Sequence, residues 1–296
     1  MKEKIGKLLQ DVRLSKGISV KDLCEFDNIF TIQQISNIET GKQMTSAERF
    51  IKLLSYYNLT YEEFLYLFEH DYLTSKFRLD RQLAEYFKRQ NIDGLKQLEF
   101  EAANLFFKYK DVFFQHIEIM SRVSRTLIQN NFQHDIVKKD LKPIENYLMG
   151  VKEFNHYEVS LLGQCLSALD IDQALLLGEK AVHNIENRHT FYRNESDACV
   201  LLTNMAICCL DHQRYIDALK YLNQSIALAA TNQDMTRSLH AQIIKEVIHF
   251  KLNDGLYNKQ LLKYLVGVFK GLGWKDYSIN VKKFVQKHGI SLDNPK

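Results

Sequence analysis

The stretch Thr31-Ile32-Gln33-Gln34-Ile35-Ser36-Asn37-Ile38-Glu39-Thr40-Gly41-Lys42 decides the reading of this chain. Ile35 and Ile38 lie three residues apart and give a helix one apolar face. Gln33 and Asn37 lie four apart and share a polar one. Thr31 can cap such a helix, Gly41 can close it, and Lys42 follows as a point charge. One face packed inward and amides turned outward is the pattern of a recognition helix that enters a DNA groove. Amide side chains make bidentate contacts to adenine, so Gln33 and Asn37 are the expected base readers. Thr31, Gln34 and Ser36 are shorter-reach candidates for a base or a phosphate, and Lys42 for the backbone. Singly, each is an ordinary surface residue; their joint arrangement carries the reading.

Around that segment the first seventy residues read as five short helices. Ile5, Leu8, Leu9, Val12 and Leu14 form a stripe that Gly17 stops. Ser19 caps a second helix, from Val20 to about Phe26, and the loop Asp27-Asn28-Ile29-Phe30 leads to the third. Thr45 or Ser46 opens a fourth, with Phe50, Ile51, Leu53 and Leu54 inward. Thr60 opens a fifth, where Glu63 completes a capping box and Phe64, Leu65 and Leu67 pack.

The chain has 296 residues, long for one core, so two domains are expected: 1–70 and 71–296. Net charge is only +3. Residues 1–70 hold nine lysines and arginines against ten acidic residues, so phosphate attraction there must come from local clustering. No apolar run approaches the roughly 18–20 residues that span a bilayer, and Met1-Lys2-Glu3-Lys4-Ile5-Gly6 has no leader-like apolar core. Cys24, Cys165, Cys199, Cys208 and Cys209 show no CxxC spacing and read as reduced thiols of a cytoplasmic protein. The histidines form no ligand cluster, and neither a Gly-rich phosphate loop nor GxSxG occurs. No metal, cofactor, membrane contact or catalysis is expected.

Two prolines, twelve glycines and pervasive three- and four-residue apolar spacing make the fold class all-α. Beyond Asp71, longer amphipathic helices are separated by short polar breaks such as Gln90–Gly94, Gln129–His134, Asp211–Arg214 and Gly271–Asp276. Paired helices at that spacing suggest a right-handed array of tetratricopeptide-like (TPR-like) hairpins. Ile171, Ala174, Leu175, Gly178, Ala181 and Val182 are matched 44 residues later by Tyr215, Ala218, Leu219, Leu222, Ser225 and Ile226. Small residues recur where paired helices approach closely. The aromatic-rich segment Phe100–Phe114, with Phe106, Phe107, Tyr109 and Phe113, reads as core. Lys282-Lys283 reads as a solvated charge run.

Residues 4–68 resemble the lambda-repressor-like (XRE) helix-turn-helix. Arg13 with Gly17, Leu23, Gln33, Ile35, Ile38-Glu39, Gly41, Leu53 and Phe64 fall in that family's order. The resemblance implies a salt bridge between Arg13 and Glu39 that joins the first and third helices. The departures are a longer, more apolar loop at Asp27–Phe30, no proline in Gln43-Met44-Thr45, and no arginine on the recognition helix.

Over most of its length the chain resembles the Rgg (MutR-like) family of peptide-responsive transcriptional regulators. Gln34-Ile35-Ser36 before Ile38-Glu39, Arg49-Phe50-Ile51-Lys52-Leu53-Leu54 and Tyr157-Glu158-Val159-Ser160-Leu161-Leu162-Gly163-Gln164-Cys165 carry it. The resemblance implies a homodimer, double-stranded promoter DNA and a short intracellular signalling peptide as in quorum sensing. Such a peptide would shift the relative placement of the two DNA heads or change contacts with RNA polymerase. Asn204, ahead of Met205-Ala206, sits where related peptide-sensing repeat proteins place a peptide-binding asparagine. Gln164 is the candidate in the preceding repeat. Side-chain amides suit this task because an extended peptide has unpaired backbone donors and acceptors. The bland alternative for each is a solvated or capping amide. The alternative for the whole chain is a TPR-like module that sequesters a protein partner, with the N-terminal domain used for docking.

Overall fold

A computed structural model describes residues 2–25, 30–68, 71–186 and 192–292, with the backbone alone at 71–74 and 192–196. Every regular element among the described residues is helical. The first five helices are α1 (Lys2–Ser15), α2 (Val20–Glu25), α3 (Ile32–Glu39), α4 (Ala47–Tyr56) and α5 (Tyr61–Phe68). Longer helices follow: α6 (Asp71–Lys88), α7 (Ile92–Tyr109), α8 (Val112–Gln129), α9 (Lys138–Gly150) and α10 (His156–Cys165). Then come α11 (Ile171–Glu186), α12 (Tyr192–Asp211), α13 (Tyr215–Thr231), α14 (Met235–Leu252), α15 (Lys259–Gly271) and α16 (Lys275–Lys287). The helices group into two units, Met1–Ser121 and Arg122–Lys296.

Local chemistry sets the boundaries of the first five helices. Gly17 and Gly41 both take positive φ, 67° and 71°, where a Cβ is strained, and the chain turns there. Ser19 and Asp22 exchange side-chain and backbone hydrogen bonds at the start of α2. Thr60 and Glu63 do the same at α5. Ser46 Oγ accepts from Arg49 N and opens α4. The loop expected at Asp27–Ile29 lies outside the described residues, and Phe30 beyond it is buried.

Leu9, Val12, Leu23, Ile35, Ile38, Leu53, Leu54, Tyr57, Phe64 and Phe68 close one core. Three expected members face solvent instead: Leu14, Ile51 and Leu67. Each lies about 60–80° around its helix beyond the nearest buried residue, at 100° per residue, and so at the edge of the buried stripe. Phe100 and Phe107 are a larger correction. Leu95, Leu98 and Ala102 take the buried face of α7, while Phe100 and Phe107, seven apart on the far side, are 71% and 77% exposed. Lys110 Nζ sits 4.6 Å from the Phe107 ring centre. Only Phe114 of that aromatic segment is fully buried.

In the second unit the repeated small residues lie at helix contacts. A Cβ on Gly178 of α11 would come 2.5 Å from Met205 Sδ of α12. Ser225 of α13 is fully buried, donates to the Cys199 carbonyl at 3.1 Å and meets Thr203 at 3.0 Å. The two matched helices are also bridged by side chains. Tyr221 donates to Glu179 at 2.8 Å, with Lys220 at 3.1 Å, and these bonds hold the Glu179 carboxyl below its ordinary range. Arg214 reaches Asp172 at 2.6 Å. All five cysteines are unbridged. Burial pushes the Cys165 and Cys208 thiols up to about 12 and Cys209 to about 11, so they stay protonated and inert. No described helix is long and apolar enough to cross a membrane.

Candidate DNA interface and peptide-binding amides

The candidate reading surface is the outer face of α3. Thr31 is its N-cap: Thr31 Oγ1 accepts from Gln34 N at 3.2 Å, and Thr31 N donates to Gln34 Oε1 at 3.0 Å. This reciprocal pair satisfies two backbone donors that a helix start would otherwise leave open. The Gln34 side chain is therefore committed to the cap. Ile35, Ile38 and Glu39 face inward, whereas Gln33 and Ser36 are exposed and Asn37 is half-buried. Gln33 Nε2 donates to Asn37 Oδ1 at 3.0 Å. That bond joins the two amides and uses neither the Gln33 oxygen nor the Asn37 amide hydrogens. Thr40 Oγ1 donates to the Ser36 carbonyl at 2.7 Å and finishes the helix. Lys42 stands exposed just past Gly41.

The inner face of α3 is held by charge as well as by apolar packing. Arg13 Nε and Nη2 donate to the two Glu39 carboxylate oxygens at 2.6 and 2.9 Å, and Arg13 Nη1 donates to the Ile18 carbonyl at 2.8 Å. The hydrogen bond to Glu39 raises the Arg13 pKa above its ordinary value. Tyr57 is buried beside the pair, and desolvation together with the Glu39 charge raises its phenol pKa.

Sequence reasoning missed three residues around this surface. Gly6 lets α1 touch α3: a Cβ there would lie 2.2 Å from the Ile38 carbonyl oxygen. Its signal was a glycine inside a helical stripe, costly unless packing requires it. Ile32, in the first turn of α3, is 66% exposed, an apolar side chain on the reading face. The Arg49 guanidinium of α4 stands 5.7 Å from the ring centre of Phe30, just ahead of α3, a pairing that no local pattern announces.

The two candidate peptide-binding amides fall on neighbouring helices of the second unit. Asn204 of α12 is half-buried, and its Nδ2 donates to the Gly163 carbonyl of α10 at 3.3 Å. Gln164, the next residue on α10, is exposed and donates to Ser160 Oγ at 3.4 Å. Both amides keep hydrogen-bonding capacity beyond these long contacts.

Comparison with known proteins bears on both surfaces. The family described as HTH-type transcriptional regulator Rgg, C-terminal domain, matches residues 108–283, and a helix-turn-helix family matches residues 9–64. The chain belongs to the Rgg family of transcriptional regulators. It is thus a regulator and not an enzyme. Among solved structures, the SHP pheromone receptor Rgg2 of Streptococcus dysgalactiae is 20% identical, with a TM-score of 0.74 over 96% of this chain and 99% of that one. A transcriptional regulator structure from Listeria monocytogenes EGD-e is 17% identical, with a TM-score of 0.77 over 98% and 100%. Bacillus thuringiensis PlcR, solved in complex with the peptide PapR7 and DNA, is 16% identical, with a TM-score of 0.68 over 94% and 99%. At these identities the likenesses establish the fold, a helix-turn-helix head with a helical C-terminal domain. This Rgg-family chain carries its Arg13–Glu39 pair and its α3 amides within the matched helix-turn-helix segment.

Proposed function

We propose that this Rgg-family regulator reads double-stranded promoter DNA with α3 and is switched by a short signalling peptide held at Gln164 and Asn204. The observation that carries the DNA half is the outward Gln33–Asn37 amide pair on a helix whose inner end is locked to α1 by Arg13 and Glu39. In this reading Gln33 and Asn37 contact base edges, while Ile32 meets a thymine methyl. Ser36 and Lys42 contact phosphates or sugars, and Thr31 with Gln34 supports the helix start. Residues 1–70 form the DNA-reading head and 71–296 the sensing and dimerising part. Two copies would place two α3 helices on half-sites about 34 Å apart, or a multiple of that, so the operator is a near-palindrome. The protein works in the cytoplasm and passes the signal on through RNA polymerase.

The peptide half rests on the family, on two amides on adjacent helices, and on the likeness to PlcR, whose structure holds a peptide and DNA together. A peptide changes DNA binding only if it favours one arrangement of the protein over another. The test is an electrophoretic shift of DNA from upstream of the gene. It is run over a salt series, with and without short apolar peptides encoded nearby. A shift that weakens steeply with salt and responds to one peptide is the expected result. No shift at any salt would favour a module that sequesters a protein partner.

A further inference from the structure

The lysines of this chain are unevenly placed. Residues 259–287, which make α15 and α16, hold seven lysines and one aspartate, a net +6. The whole chain is only +3, so everything else sums to −3. The DNA-reading head itself is not basic: residues 1–70 sum to −1 before histidine. Charge segregated in this way attracts polyanions to one place.

That place has a shape. A crevice of about 170 Å³ runs between α15 and α16. Lys263, Lys270 and Lys282 line it together with Ser278 and Gln286, and no carboxylate is among its described lining residues. Gly267 also lines it, and a Cβ there would meet nothing within 4 Å. Lys263, Gly267 and Lys270 recur at spacings of four and three on α15. Ser278, Lys282 and Gln286 recur at spacings of four on α16. Each helix thus turns one donor-bearing stripe toward the same space. Lys270 of α15 and Lys282 of α16 bring like charges to opposite walls, and an anion between them offsets their repulsion. Compact ammonium groups beside an amide and a hydroxyl suit a phosphate group.

We propose that the α15–α16 crevice is a phosphate-binding site, separate from the α3 surface and from the Gln164 and Asn204 amides. Its ligand is either a phosphate of a nucleic-acid backbone or a small free phosphate compound. The chemistry of recognition is the same for both.

The experiment uses the full chain and two variants, Gly267→Glu and the double Lys270→Gln/Lys282→Gln. All three positions are exposed, so the helices tolerate the changes, and circular dichroism checks this. One arm titrates inorganic phosphate and pyrophosphate by calorimetry. The other titrates a labelled short duplex of arbitrary sequence by anisotropy over a salt series. If the source is a backbone, the duplex binds and both variants weaken it about tenfold. Its salt slope then falls by about one to two in the double variant. If the source is a small phosphate compound, pyrophosphate binds saturably to the native chain and not to the variants, while the duplex is unaffected. Binding of neither probe by the native chain, or equal binding by native chain and variants in both arms, overturns the proposal.

Discussion

Arg13 and Glu39 stand 26 residues apart in the chain, yet their side chains meet in a two-pronged ion pair with both groups more than nine-tenths buried. The pair ties α1 to the last residue of α3. It therefore fixes the end of α3, the proposed reading helix. Glu39→Gln is expected to cost about 3–5 kcal/mol, because a buried guanidinium loses its counter-charge. The double change Arg13→Met/Glu39→Leu should recover much of that loss. Urea unfolding of both variants checks it, and equal losses for single and double changes would sink the argument.

Gly6→Ala should be as damaging as losing the ion pair. The new methyl would meet backbone atoms of Ile38 and Glu39, which no rotamer change can move aside. Overpacking usually costs about 1–3 kcal/mol, and a backbone clash belongs at or above the top of that range. DNA binding should fall for all sequences together, since α3 is displaced as a whole. A thermal melt and a shift assay on one specific and one random duplex would show it.

Gln33 and Gln34 are adjacent and chemically identical, yet their substitutions should differ in kind. With Gln33 as the proposed base reader, Gln33→Ala should cost about 1–3 kcal/mol and relax preference at one base position. Gln34→Ala breaks a capping box, so it should lower helix stability by about 1 kcal/mol and leave sequence preference unchanged. Binding selections from a randomised operator separate the two. Identical selected sequences for the native chain and Gln33→Ala would remove Gln33 from the base-reading set.

Asn204→Ala should weaken peptide binding by about 1–3 kcal/mol, the cost of leaving a peptide backbone group unpaired. Its structural cost should be small, because its contact to Gly163 is long at 3.3 Å. Calorimetry with a peptide that responds in the shift assay, alongside a thermal melt, reads both quantities. Unchanged affinity would take Asn204 out of the site.

Acid should weaken the second unit through His240. Burial pushes this imidazole down to about 4, with the Arg237 charge adding to the shift. Between that value and an unfolded pKa near 6.5, the unfolded chain binds more protons than the folded one. Stability therefore rises with pH through that window and is lost as pH falls through it, by up to about 3 kcal/mol. His134 and His288 are shifted in the same direction by burial and add to the slope. His240→Phe should unfold at nearly the native urea midpoint at pH 7 and at a higher one at pH 4.5.

Much of this architecture was legible before any coordinates. Helix starts at Ser19, Thr31, Ser46 and Thr60 and stops at Gly17 and Gly41 were readable because caps act within four residues. The 44-residue match predicted close helix contacts, and Gly178 against Met205 and Ser225 against Cys199 are such contacts. Leu14, Ile51 and Leu67 were misplaced because apolar composition says that a helix has a buried face, but a single residue near its edge goes to whichever side the neighbouring helices leave open. Phe100 and Phe107 were misplaced because aromatic content was read as burial, although both lie opposite the buried Leu95, Leu98 and Ala102 on α7.

The amino-acid order alone determined the helices, their ends and the face that Gln33 and Asn37 share, because those follow from periodicity and from hydrogen bonds a few residues long. Only tertiary structure decided that Gly6 admits α3, that Arg49 meets Phe30, and that lysines from α15 and α16 line one crevice. Such facts join residues that no local hydrogen bond or periodicity connects. Packing decides them, through the space and the charge that each element leaves for the next.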